Sequence, residues 1–95
     1  MCRNKKADAN QPQIVADLRK LGFCVRHVFT VPNLGFDIIV SGLRLPDGDY
    51  PNLLVEIKAD SKSDLTESEK AFFEEWPGPK LVAWEVGQIA EWYGR

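Results

Sequence analysis

Apolar residues recur at Ile14, Val15, Leu18 and Leu21, with Gln11 on the same stripe. That is the spacing of an amphipathic helix, and Gly22 supplies its stop. Asn10 followed by Gln13 reads as a capping box, and Pro12 is tolerated in a first turn. Phe23 to Val31 is rich in β-branched and aromatic residues and predicts a strand. Pro32-Asn33-Leu34-Gly35 is a turn, and Phe36 to Val40 a second strand. Between Leu43 and Asn52, Pro46, Asp47-Gly48 and Pro51 mark a hairpin tip before a third strand, Leu53 to Lys58. After a polar loop, Thr66-Glu67-Ser68-Glu69 is a second capping box. It opens a helix with the stripe Phe72, Phe73 and Trp76, which Pro77-Gly78-Pro79 ends. Leu81 to Val86 predicts a fourth strand and Gln88 to Tyr93 a short last helix. The order is α-β-β-β-α-β-α, an α/β fold with a four-stranded mixed sheet flanked by helices.

The second and third strands break their own pattern. Leu53, Val55 and Ile57 share one face, whereas Leu54, Glu56 and Lys58 share the other, so that face turns charged at the strand's end. In the second strand Phe36, Ile38 and Val40 share a face and Asp37 opens the opposite one. Antiparallel pairing about Asp47-Gly48 would set Asp37 opposite Lys58 and diagonal to Glu56. A bulge at Pro46 or Pro51 would slide this by a residue or two. Two nearby carboxylates repel, and a divalent cation removes the conflict. Magnesium needs only one or two carboxylates with a backbone carbonyl and waters, so Asp37, Glu56 and the Ile57 carbonyl make a candidate metal site. A metal-bound water could attack phosphorus, with Lys58 orienting it or neutralising the transition state. The structural alternative is a cross-strand salt bridge on a solvated sheet face.

Gln11 points inward, where a polar side chain needs a reason. Glu69 heads an apolar stripe but also completes a capping box. His27 in a strand reads as a structural histidine. Trp92-Tyr93 could line a dimer contact.

Ninety-five residues, 44% hydrophobic and 27% charged, fit one domain over 10–95 behind a flexible segment 1–9, and exclude full disorder. No run is long enough to span a membrane, and no apolar stretch follows the basic start as a secretory signal requires. Cys2 and Cys24 make no disulfide framework; Cys24, in an apolar run, reads as a buried thiol without a redox partner motif. No zinc-ligand spacing exists, and a reducing cytoplasm is the expected compartment. The net charge of −2 speaks against nonspecific nucleic-acid binding without a local basic patch, a metal ion or a partner.

Gly35-Phe36-Asp37, followed by Leu54-Val55-Glu56-Ile57-Lys58, resembles the PD-(D/E)XK nuclease signature. From Asp8 to the last helix the chain resembles the small stand-alone VRR-NUC branch of phages and bacteria. Asp8-Ala9-Asn10-Gln11 with Ile14-Val15 and Leu18-Arg19 resembles its opening helix. Leu65 to Glu69, Phe72-Phe73 and Trp76-Pro77-Gly78 resemble its post-catalytic helix. The resemblance implies a restriction-endonuclease-like α-β-β-β-α-β core and a Mg²⁺- or Mn²⁺-dependent DNA endonuclease. It implies Asp37 and Glu56 as metal ligands, Lys58 as the catalytic lysine, and Gln11 as the polar residue supporting metal or water. Glu69 stands where the branch often has Gln or Glu. It also implies cleavage of branched or four-way junction DNA, commonly by a homodimer. Phe36 replaces the usual proline, and Ala59-Asp60-Ser61 stands where larger relatives carry Val-Arg-Arg. Arg3, Lys5, Lys6, Arg26, Arg44 and Lys62 are candidate phosphate contacts, each with a solvated surface charge as its alternative. A non-catalytic binding or assembly module on the same fold is the alternative function.

Overall fold

A computed structural model describes residues 9–31 and 34–94. Arg3, Lys5, Lys6, Cys2 and most of the expected flexible segment lie outside the described residues, as does Pro32-Asn33. The first apolar stripe becomes α1 (Gln11–Lys20), burying Gln11, Ile14, Val15 and Leu18. Gly22, at φ +99°, ends it: the Phe23 amide turns back to the Leu18 carbonyl at 3.1 Å. The expected Asn10–Gln13 cap does not form. Asn10 has helical backbone angles and spends its side chain elsewhere, while Gln13 Nε2 donates to Asp17 Oδ1 at 2.8 Å.

The strands are β1 (Cys24–His27), β2 (Ile38–Ser41), β3 (Leu53–Ile57) and β4 (Lys80–Ala83), in the spatial order β1-β2-β3-β4. The first two pairings are antiparallel and β3–β4 is parallel, so the sheet is mixed. The parallel pair requires a crossover, which α2 (Glu67–Glu75) provides, and α3 (Val86–Trp92) follows β4. β1 is far shorter than Phe23 to Val31: the chain turns after Val28, whose carbonyl accepts from the Val31 amide at 3.0 Å. β4 and α3 each begin earlier than the apolar pattern suggests. Gln88 is not the first residue of α3; its Oε1 accepts from the Trp84 and Glu85 amides at 2.7 and 3.0 Å, fixing the helix start before it.

Alternation along the strands assigns the two faces. Val25, Ile38, Val40, Leu53, Val55, Ile57 and Ala83 form the core with Ile14, Val15 and Leu18 of α1 and Ile89 and Tyr93 at α3. Tyr93 is buried within the chain rather than presented to a dimer partner. Its hydroxyl lies 3.1 Å from the Val40 carbonyl and 3.0 Å from that of Pro51. Burial pushes its phenol up to about 12. Cys24 is exposed, not buried: it falls on the opposite face of edge strand β1. α2 covers the other face only in part. Phe72 and Phe73 are half-buried, Trp76 is an exposed residue beyond the helix end, and the one buried residue of α2 is Glu69. No helix among the described residues is long and apolar enough to cross a membrane.

Candidate active site

The ends of β1, β3 and β4 and the start of β2 lie at one end of the sheet, as the strand directions require. His27, Asp37, Lys58 and Trp84 therefore all lie at that end, spread from edge to edge of the sheet, while the hairpin tip carrying Arg44 lies at the other end. Arg44 is thus far from the other candidate residues. Arg26 and Lys62 are exposed, with Arg26 on β1 and Lys62 in the loop after β3.

Asp37 is aimed by a backbone irregularity. Ile38 is opposite Val55, yet the Asp37 amide also donates to the Val55 carbonyl, at 2.9 Å. Two residues of the β2 chain thus face one residue of β3, which is a β-bulge. The expected pairing of Asp37 with Lys58 is corrected: the register slides by two residues, so Asp37 reaches β3 between Val55 and Ile57. The tip closes around Leu45 to Asp49, where the Leu45 amide donates to the Asp49 carbonyl at 2.8 Å, and this recentres the hairpin. Asp37 Oδ2 accepts from the Ile57 amide at 2.7 Å, taking the place of the next ladder bond. Gly35, at φ +94°, leads into this segment; a Cβ there would lie 2.7 Å from Phe72 Cγ. Phe36 packs on Phe72 with ring centres 5.4 Å apart, holding the chain before Asp37 against α2.

Glu56 and Lys58 share the α2 side of β3. Every residue of β3 is buried, so Glu56 is a carboxylate inside a central strand, at 0% exposure. Lys58 Nζ lies 3.5 Å from Glu56 Oε2 and 2.7 Å from Glu69 Oε1. Glu69 Oε1 also accepts from the Thr66 amide at 2.8 Å, while Thr66 Oγ1 accepts from the Glu69 amide at 3.3 Å. One oxygen of Glu69 therefore does two things: it closes the capping box and binds the lysine.

Gln11 is buried, at 1% exposure, as its place on the α1 stripe predicts. It comes from the α1 side, and its Nε2 lies 3.3 Å from His27 Nδ1. The structure thus brings Glu56, Lys58 and Glu69 into direct contact and Asp37 onto the adjoining segment of β3. It joins Gln11 to His27 at the same end of the sheet, from the α1 side. Asn10, which the sequence pattern offers only as a cap, is a further member. Its Nδ2 donates to the carbonyls of Lys58 and Trp84 at 2.9 and 3.1 Å, pinning α1 to the ends of β3 and β4. The one signal for it is a second amide side chain beside Gln11 at the helix start.

In an extended strand the amide and carbonyl of one residue point the same way, so the Ile57 carbonyl faces the side from which Asp37 approaches. Two carboxylates and this carbonyl are hard oxygen donors suited to magnesium or manganese. Among the described residues no group of three or more His, Cys, Asp or Glu side chains is placed to hold a metal ion. The expected donor set contains only two such side chains and so does not depend on one.

The class defined so far is an α/β protein with a four-stranded mixed sheet and charged residues gathered at one end. No family model, curated protein or solved structure matches the chain.

Proposed function

We infer that this protein is a metal-dependent endonuclease that hydrolyses DNA phosphodiester bonds, with branched or four-way junction DNA as its preferred substrate. Its α-β-β-β-α-β order is read as a restriction-endonuclease-like core, on the resemblance of Asp37, Glu56-Ile57-Lys58 and the flanking helices to PD-(D/E)XK nucleases. Asp37, Glu56 and the Ile57 carbonyl would hold Mg²⁺ or Mn²⁺. The ion, when bound, supplies an acidified water and charge stabilisation at phosphorus. Lys58, fixed by Glu56 and Glu69, would present its ammonium to the charge that develops on the phosphoryl oxygens. A homodimer would extend the small DNA footprint of one domain.

One observation carries this reading. A carboxylate at 0% exposure in a central strand sits beside a lysine, and a second carboxylate, 2% exposed, is bonded to the amide of the residue between them. Buried acids at a strand end are unfavourable without counter-charge, and their gathering at one place is common at functional sites. The ion pair of Lys58 with a capping-box glutamate favours a second reading, a binding or assembly module in which these residues only stabilise the fold.

Incubation of the protein with four-way, flap, duplex and single-stranded DNA in Mg²⁺ or Mn²⁺ separates the two. The nuclease reading expects metal-dependent cutting that Glu56→Gln abolishes, and a Mn²⁺-induced rise in melting temperature that Glu56→Gln also removes. No cutting of any substrate and no thermal response to Mn²⁺ would leave the module.

A further inference from the structure

Gln11 and His27 form a pair that joins the start of α1 to the end of β1. Gln11 Nε2 lies 3.3 Å from His27 Nδ1; in the arrangement where the amide nitrogen donates, the ring nitrogen accepts and the imidazole proton sits on Nε2. The ring is steadied by the edge-on contact with Phe29, at 5.9 Å and 80°. With its nitrogen engaged, Gln11 turns its other end away from His27. That Oε1 is buried and has no hydrogen-bond partner among the described residues. A buried amide oxygen in this condition calls for a proton donor or a cation. The neighbouring Asn10 pins this turn of α1 to Lys58 and Trp84, and His27 is opposite Ile38, the residue after Asp37. The amide therefore lies at the end of the sheet where the acids and the lysine gather.

We propose that His27 is a positioning residue: by holding the Gln11 amide through its nitrogen, it presents Gln11 Oε1 as an acceptor to the water or cation of the site. This rests on the nuclease reading for the identity of that ligand. The contact between His27 and Gln11 does not. A ring nitrogen that bore the proton at Nδ1 would attract the amide oxygen instead and leave a donor facing a cation, the wrong polarity for the role.

The test combines His27→Ala, His27→Asn, Gln11→Ala and the double variant Gln11→Ala/His27→Ala. Mn²⁺ affinity is measured by titration calorimetry, and kcat and KM are measured on cleaved DNA. The Gln11 side-chain amide is followed by NMR of ¹⁵N-labelled protein. His27→Ala should weaken Mn²⁺ binding or lower kcat by roughly tenfold while leaving the KM for DNA unchanged. His27→Asn, whose oxygen can accept in place of Nδ1, should recover most of that loss. The double variant should be no worse than Gln11→Ala, because both act through one amide. Wild-type behaviour of His27→Ala, an additive double variant, or a change in KM alone would overturn the proposal. If the wild type neither binds Mn²⁺ nor cuts DNA, the nuclease reading fails, and Gln11 loses the ligand proposed for it. The NMR arm then stands by itself: Gln11 amide signals that do not respond to His27→Ala overturn the pairing as well.

Discussion

Asp37 offers a perturbation in which structural and chemical roles can be pulled apart. Its Oδ2 takes a 2.7 Å bond from the Ile57 amide, in a strand where Ile57 is fully buried. Asp37→Ala leaves that amide without its acceptor and removes a charge-assisted bond, at a cost of about 2–3 kcal/mol. For a domain of this size that corresponds to roughly 8–24 °C of melting temperature. Asp37→Asn keeps an oxygen of the same reach, so its cost should be no more than ~1 kcal/mol. The charge, in contrast, is lost in both. If Asp37 also binds a divalent cation, Asp37→Asn should lower the cleavage rate by roughly 10²-fold or more with its melting temperature nearly intact. The assays are thermal unfolding by circular dichroism and Mg²⁺-dependent cutting of four-way and flap DNA at a temperature where both variants are folded. An Asp37→Asn protein that melts as low as Asp37→Ala would refute the acceptor role. One that cuts at the wild-type rate would refute the metal role and leave Asp37 as the side chain that completes a bulge.

The remaining predictions concern stability. Tyr93 in the unfolded chain ionises near pH ~10, whereas burial pushes it up to about 12 in the fold. Its contribution is therefore complete below about pH 10 and is lost as pH rises through 12, by on the order of 1–2 kcal/mol after allowance for solvent screening. Tyr93→Phe should abolish that alkaline step in urea titrations and cost about 0.5–1.5 kcal/mol at neutral pH. Gly35→Ala forces a side chain into φ +94° with its Cβ 2.7 Å from Phe72 Cγ, and should destabilise by about 2–4 kcal/mol by thermal melting. Phe72→Ala in that background should return part of the loss. Glu69→Ala takes an acceptor from both Thr66 and Lys58 and should lower the urea midpoint by the equivalent of about 2 kcal/mol, whereas Glu69→Gln, which still caps the helix, should lose about half as much.

Hydrophobic spacing locates each element because burial acts on the average of many positions. The stripe Ile14, Val15, Leu18 does become the buried face of α1, and the alternation Leu53, Val55, Ile57 does become the core face of β3. Ends of elements depend instead on single hydrogen bonds. Gln88 moves the start of α3 back by accepting from Trp84 and Glu85, and Val28 stops β1 by accepting from Val31. Asn10 shows the same limit: a residue type suited to capping is drawn off by two strand-end carbonyls that the local sequence does not reveal. Cys24 fails for a different reason. Its apolar neighbours signal a strand but not which face of it is covered, and its side chain falls on the exposed face of edge strand β1.

The site was legible as a set of residue types and illegible as a geometry, and the bulge explains both. Glu56 and Lys58 are two apart on one strand, so their shared face follows from the pleat alone. Asp37 lies on another strand, and its place follows from register, which depends on turn geometry. Symmetric pairing about Asp47-Gly48 sets Asp37 against the lysine. The observed tip recentres the hairpin, and the extra residue at 37 lets one amide and one carboxylate of the same aspartate bond to Val55 and Ile57. An unbulged β2 would offer Ile57 a backbone carbonyl and would leave the Asp37 side chain to follow the pleat. The irregularity thus exchanges a backbone acceptor for a carboxylate at the residue between Glu56 and Lys58. Such an exchange is unnecessary for a sheet that only has to be stable, since the regular ladder supplies that bond without burying a charge. On the nuclease reading, the same bulge sets the acid between Glu56 and Lys58, where a cation held with the Ile57 carbonyl would use it.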